Sequence, residues 1–358
     1  MRCAAPRPCR SLTAVPVLCG LLLAAAPLLH AQEAPTPDGP PPMSSAPPPE
    51  VRHGDPSETI KVNVNLVNVY FSVRDKNGFV TGLNKDSCQV AEDKTPQTIK
   101  RLTAEKNLPL TIGILLDTSG SQEHVLPLEQ ESGSRFLSEV LTPKDEAFLI
   151  SFDVNVDLLA DYTNNSHEIK RAIDKASINS ASSSGGVPGI GGGPFPTGNP
   201  RGTLLYDAVY LAAHDKLQSQ TGRKVIVMLT DGGDQGSQEN LRSAAEAAQK
   251  ANTIIYVIMI ADGGFGGYGG FYTGDRDMQQ LATQTGGRVI NVGNNGRKLE
   301  DAFDQIQDEL RTQYLLSYTP TNKASDGKYR KIEINCGKED KVQARKGYYA
   351  VSGDSDSE

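Results

Sequence analysis

Cysteine is scarce in this 358-residue chain, and three of its five cysteines (Cys3, Cys9 and Cys19) fall near the start. Only Cys88 and Cys336 remain for the rest, which leaves room for one disulfide at most. Their apolar, strand-like surroundings suit a bridge or two buried thiols equally well. Histidine is equally sparse. His124, His167 and His214 stand apart from one another, on expected helices or their starts. Neither late cysteine has histidine-rich surroundings, so no nucleophile is matched to a base and no catalytic residue can be named. A two-metal hydrolase would also need more carboxylates and histidines than any one stretch supplies. There is no basic stripe either: the formal charge is -7, and a net acidic chain is a poor nucleic-acid binder. No internal repeat is visible.

What the chain does have begins with residues 1–31, which read as a secretory signal peptide. Arg2, Arg7 and Arg10 precede an apolar stretch from Leu12 to Leu29, and Ala31 offers a small residue for cleavage. Removing it takes three arginines and no acid, which moves the charge from -7 to about -10. An uncleaved anchor would have to carry Pro16 and Pro27 inside its helix, and lipidation at Cys19 would follow the bulky Leu18. No later segment is apolar and long enough to span a membrane. Residues 32–57 form a linker in which Pro40–Pro42 and Pro47–Pro49 favour extended polyproline geometry. Hydrophobic content of 37% and charged content of 22% over the whole chain are those expected of the soluble globular class.

Residues 58–108 have β texture. Ile60, Val62, Val64 and Leu66 alternate with polar residues, and Val67, Val69, Phe71 and Val73 continue the run with a change of face. Asp75-Lys76-Asn77-Gly78 reads as a hairpin turn, with short strands to follow at Cys88–Glu92 and Thr98–Thr103. From residue 109 to 311 the texture changes to alternating apolar runs and amphipathic helices. Strands are expected at Thr111–Leu116, Glu146–Phe152, Val156–Leu159, Lys224–Thr230, Thr253–Ile260 and Arg288–Val292. Helices are expected at His124–Val140, Ser166–Ala176, Thr203–Leu217, Asn240–Ala251, Met278–Thr285 and Lys298–Arg311. This alternation implies a mostly parallel sheet with helices on both faces. Residues 312–350 return to β, with strands at Tyr314–Tyr318, Tyr329–Asn335 and Val342–Tyr349, and residues 351–358 form an acidic tail. Neither β segment has enough strands to stand alone. They are expected to pair into one small β-sandwich with the α/β domain inserted, and a Cys88–Cys336 bridge would join the two halves.

One constellation carries chemistry. The first core strand ends in Asp117-Thr118-Ser119-Gly120-Ser121, and the fourth ends in Asp231-Gly232. In a doubly wound sheet of order 3-2-1-4-5-6 these strands are neighbours, and ligands bind where the order reverses. Gly202-Thr203 opens a helix between them in sequence. Taken singly, Asp117, Ser119, Ser121 and Thr203 are also ordinary helix caps and Asp231-Gly232 an ordinary turn. Hydroxyl and carboxylate oxygens together are hard donors that suit Mg²⁺ or Mn²⁺. Elsewhere, Gly264 to Gly269 spells G-x-G-x-x-G but follows the fifth core strand without a ribose-binding acid, and residues 180–202 lack the Lys-Ser/Thr of a phosphate loop. Both glycine-rich loops, with Phe195, Phe265, Tyr268, Phe271 and Tyr272, are candidates for shaping partner choice or plain insertions.

These residues resemble the metal-ion-dependent adhesion site of von Willebrand factor type A (VWA) domains, which needs D-x-S-x-S, a threonine and an aspartate before glycine. All five positions are filled, by Asp117, Ser119, Ser121, Thr203 and Asp231. The flanks Val90 to Gln97, Tyr314-Leu315-Leu316-Ser317-Tyr318 and Gly347-Tyr348-Tyr349 resemble the bacterial family of exported VWFA-related proteins. The resemblance implies an α/β, doubly wound Rossmann-like VWA domain. It implies Mg²⁺ (or Mn²⁺) bound directly by Ser119 and Ser121, by Thr203 directly or through water, and by Asp117 and Asp231 mostly through water. The expected partner is a protein presenting an acidic side chain to the remaining position, in the periplasm or outside the cell. A rival reading is a structural assembly module whose metal site is idle, and a third is a metal-assisted hydrolase.

Overall fold

The computed structural model describes residues 66–105, 108–178, 202–260, 271–337 and 340–350. The expected signal peptide, linker, acidic tail and most of both glycine-rich loops, with Phe195, Phe265 and Tyr268, lie outside the described residues, as does most of the first expected strand. The chain continues as β1 (Val67–Asp75), β2 (Gly78–Phe79), β3 (Gln89–Glu92), β4 (Thr95–Gln97), β5 (Ile99–Ala104), β6 (Leu110–Asp117), α1 (Leu126–Val140), β7 (Glu146–Phe152), β8 (Val156–Thr163), α2 (Ser166–Ile173) and α3 (Leu205–Leu211). Then come β9 (Arg223–Thr230), α4 (Leu241–Lys250), β10 (Thr253–Met259), α5 (Phe271–Thr285), β11 (Val289–Asn291), α6 (Gly296–Arg311), β12 (Tyr314–Tyr318), β13 (Tyr329–Asn335), β14 (Lys341–Ala344) and β15 (Gly347–Tyr349).

Three apolar runs, in β6, β9 and β10, are buried along their whole length. A strand covered on both faces needs no polar alternation, so these become the middle of a parallel sheet. The sheet order is β11-β10-β9-β6-β7-β8. In sequence order this is 3-2-1-4-5-6 read from the other edge, a doubly wound, Rossmann-like α/β arrangement whose order reverses between β6 and β9. Only the edge strand β8 runs antiparallel. It has to, because three residues separate it from β7, far fewer than a parallel crossover requires. Helices α1, α2 and α6 pack on one face and α3, α4 and α5 on the other. Gly113 in β6 makes room for the Phe148 ring, which a Cβ there would strike.

Strands from before and after this unit mix in two further sheets. One has the order β14-β1-β12-β5, with β2 on β1, and the other β15-β13-β3-β4. Val69, Phe71, Val90, Tyr314, Leu316, Tyr318 and Ile332 come from both sheets and share one apolar cluster. Gln89 pairs with Asn335, which sets Cys88 opposite Cys336, and the two are disulfide-bonded with Cα atoms 4.0 Å apart.

Four expectations need correction, the first being the helix expected from Met278, which starts about two turns earlier at Phe271. The run Val342–Tyr349 is two strands, β14 pairing with β1 and β15 with β13, because the chain changes sheet at Arg345-Lys346. The helix expected from Thr203 starts at Leu205, since Thr203 forms an antiparallel bridge with Gln235, and its last part, Ala212–Leu217, is π-helical. The helix expected from His124 starts at Leu126, behind a 3₁₀ turn at Gly120–Gln122.

Candidate metal centre

β6 and β9 lie side by side in parallel register, so both end at the same edge of the sheet. Asp117 closes β6 and is fully buried. Its Oδ1 accepts from the Ser119 backbone N–H at 3.0 Å, and its Oδ2 accepts from the Thr230 hydroxyl at 2.7 Å, across to the neighbouring strand. Burial, with the charge of Asp231 added, pushes the Asp117 carboxyl up to about 7. Asp231 follows Thr230 and accepts from the Gly233 backbone N–H at 3.2 Å. Gly232 between them has φ +87°, and a side chain there would press on Met259.

The hydroxyls of Ser119 and Ser121 are 3.0 Å apart. Ser119 is almost buried and Ser121 exposed, so this loop grades from the protein interior to solvent. Neither serine caps a helix: the 3₁₀ turn after Ser119 and the helix α1 both lack a side-chain cap at their N-termini. Thr203 is also nearly buried, and its backbone exchanges hydrogen bonds with Gln235 in the loop after Asp231. The helix it precedes is held by a different residue. Asp234 Oδ1 accepts from the N–H groups of Leu205 and Tyr206 at 3.1 and 3.3 Å, and from the Ser237 hydroxyl at 2.6 Å. The ordinary capping roles open to Ser119, Ser121 and Thr203 are therefore not the ones these side chains fill.

Three acids near these loops or interacting with their carboxylates escape a reading by motif. Asp153, after β7, accepts from the Thr118 hydroxyl at 2.9 Å, while its carbonyl takes the Leu204 N–H at 2.8 Å, linking the serine loop to the threonine loop. Asp234 joins the threonine loop to the aspartate loop. The third is Glu129 on α1, 1% exposed, with neither carboxylate oxygen hydrogen-bonded among the described residues. Burial, then the charges of Asp117 and Asp231, hold its carboxyl well above the usual range. Asp153 and Asp234 carry no special signal in the sequence. Glu129 does: Leu126, Glu129, Gly133, Phe136, Leu137 and Val140 recur at helical spacing, so an acid occupies the inner stripe of an amphipathic helix.

Oxygen donors of two carboxylates and three hydroxyls around one sheet edge fit a hard divalent cation. Asp117 with its two oxygens already engaged suits an orienting role through water better than a direct bond. Among the described residues no three His, Cys, Asp or Glu side chains form a cluster that could hold a metal by themselves. His124, His167 and His214 are exposed; His214 pairs with Asp215 at 2.7 Å and stacks on Tyr210.

No family model matches the chain. No curated protein matches it either. Solved structures do. The conserved hypothetical protein BatB from Bacteroides thetaiotaomicron is 18% identical over 57% of this chain and 100% of that one, with a TM-score of 0.41. The vWF domain of the type V pili tip protein Mfa5 from Porphyromonas gingivalis is 14% identical over 56% of this chain and 94% of that one, with a TM-score of 0.41. Proximal thread matrix protein 1 from the mussel byssus is 15% identical over 68% of this chain, at a TM-score of 0.42, and the match spans 50% of its length. What those proteins do stays with them. The sheet order, the antiparallel edge strand and the D-x-S-x-S loop at the reversal point are those of a VWA-type fold. No helix among the described residues is long and apolar enough to cross a membrane.

Proposed function

We propose that this chain is an exported, metal-dependent protein-binding module serving adhesion or assembly. Ser119, Ser121 and Thr203 would hold Mg²⁺ or Mn²⁺, with Asp117 and Asp231 orienting its water. A partner's acidic side chain would complete the shell. The reading is supported above all by one relationship: β6 and β9 end side by side where the sheet order reverses, which sets the D-x-S-x-S loop next to Asp231, while Thr203 pairs with Gln235 in the loop after Asp231 and none of the three hydroxyl residues caps a helix. Two carboxylates balance one divalent charge, and the exposed Ser121 keeps one side open to solvent. A single acidic ligand contributes little affinity in water, so the surrounding surface must supply the rest.

The test is calorimetric titration of Mg²⁺ and Mn²⁺ into chelator-treated protein, beside Asp117→Ala and Asp231→Ala. Saturable binding to the native protein, lost in both variants, is expected. Absence of binding to the native protein would sink a preformed metal site and favour the structural-module reading.

A further inference from the structure

The described residues hold a carboxylate that the five-residue motif does not use. Glu129 lies on the buried stripe of α1, 1% exposed, between residues that pack against the sheet. Both of its oxygens lack hydrogen-bond partners among the described residues. Buried carboxylates are normally paired, because leaving one unpaired costs several kcal/mol. The charges that act on Glu129 are those of Asp117 and Asp231, the two acids of the site. Gln122, next to Ser121, adds a second orphan, since its buried Oε1 also lacks a donor among the described residues.

We propose that Glu129 is a third carboxylate of the cation site, accepting hydrogen bonds from water in the ion's shell on the side of α1. This rests on the metal-dependent reading above and goes beyond its five residues. A purely structural role explains the arrangement poorly. A protonated Glu129 would still need an acceptor for its hydroxyl, and none is provided among the described residues. An apolar side chain at this point of the stripe would pack without cost. Among the described residues the three acids do not form a group that could hold an ion by themselves. Water between Glu129 and the ion satisfies both facts. Mg²⁺ gives up its water reluctantly, so a shell that keeps several waters needs acceptors for their protons. A buried carboxylate that feels the charges of Asp117 and Asp231 supplies them where bulk solvent does not reach.

The experiment is calorimetric titration of Mn²⁺ into the chelator-treated full chain, comparing native protein, Glu129→Gln and Asp117→Ala. The chelated forms are melted in parallel. Glu129→Gln is expected to weaken Mn²⁺ binding about 10-fold to 100-fold, the usual effect of losing an outer-shell partner. Its metal-free melting temperature should be unchanged or higher, because glutamine keeps the shape of the protonated carboxyl and cannot ionise in the buried site. Affinity within about twofold of native, with Asp117→Ala binding none, would overturn the proposal while leaving the metal site standing. No binding by the native protein would overturn both together. If Glu129→Gln does not fold, Glu129→Asp keeps the charge and shortens the reach; about tenfold weaker binding supports the proposal, and unchanged affinity overturns it.

Discussion

The carboxylate of Glu309 and the hydroxyl of Ser72 meet in a buried hydrogen bond of 3.0 Å, across 237 positions of sequence. Glu309 stands in the last turn of α6 and Ser72 in β1, so the bond ties the α/β unit to the flanking sheet. The same carboxylate accepts from the Tyr256 hydroxyl at 3.0 Å and from Arg288 Nε at 3.0 Å. Arg223 adds a hydrogen bond to the Leu310 carbonyl. The C-terminal end of α6 is thus held from three elements.

Glu309→Ala should therefore destabilise the fold by about 3–5 kcal/mol, because it leaves the Arg288 charge and two buried hydroxyls without their partner. The denaturant midpoint measures this. A loss below about 1 kcal/mol would mean that water replaces the carboxylate and the tie is idle.

Reduction of Cys88–Cys336 should lower stability by about 2–5 kcal/mol, since the bridge closes a sequence separation of 248 residues. The melting temperature with and without reductant reads this out. The double change Cys88→Ser, Cys336→Ser should match the reduced protein and be indifferent to reductant.

The metal-free protein should lose stability as pH rises from about 4 to about 7. Asp117 is raised from 3.8 to about 7 in the fold, so across that window the folded state holds a proton that the unfolded chain releases. The contribution is fully present below the unfolded value and is gone above the folded one. Glu129 is raised in the same direction. Melting in chelator at pH 5 and pH 8 should show the fall, and Asp117→Asn should reduce it. Cation affinity should run the opposite way, tightening as pH climbs toward about 7. A flat apo profile would contradict the buried, like-charged setting of Asp117.

Asp234→Ala should cost about 1–2 kcal/mol, the usual loss for a helix cap, because the N–H groups of Leu205 and Tyr206 lose their acceptor. Thr203 precedes that helix and Asp231 precedes Asp234, so Mn²⁺ binding should weaken as well. Unaltered affinity with the stability loss intact would separate the cap from the site.

The core strands were legible because a strand buried on both faces is written as an unbroken apolar run, as in β6, β9 and β10. The helices were legible to within a turn at most ends. Asn240 and Asn295, which cap α4 and α6 with their side chains, lie where their type predicts. The five candidate ligands could be named because each sits at a strand end or beside a helix start, where local chemistry leaves a mark. Where competition for partners decided the outcome, local pattern failed. Val342–Tyr349 has one continuous β signature, yet its halves found partners in different sheets. Thr203 has the form of a helix cap, yet the backbone of Gln235 claimed it.

The sequence by itself determined the alternation of strand and helix, the sheet class and the residue types at the sheet edge, because these follow from period, burial and the hardness of oxygen donors. Only the tertiary structure decided that Cys88 reaches Cys336, that Asp153 and Asp234 brace the loops, and that Glu129 lies buried within reach of the charges of Asp117 and Asp231. Those facts depend on which helix face lands on which strand end. That choice is made by packing among residues far apart in the chain, which no local spacing records.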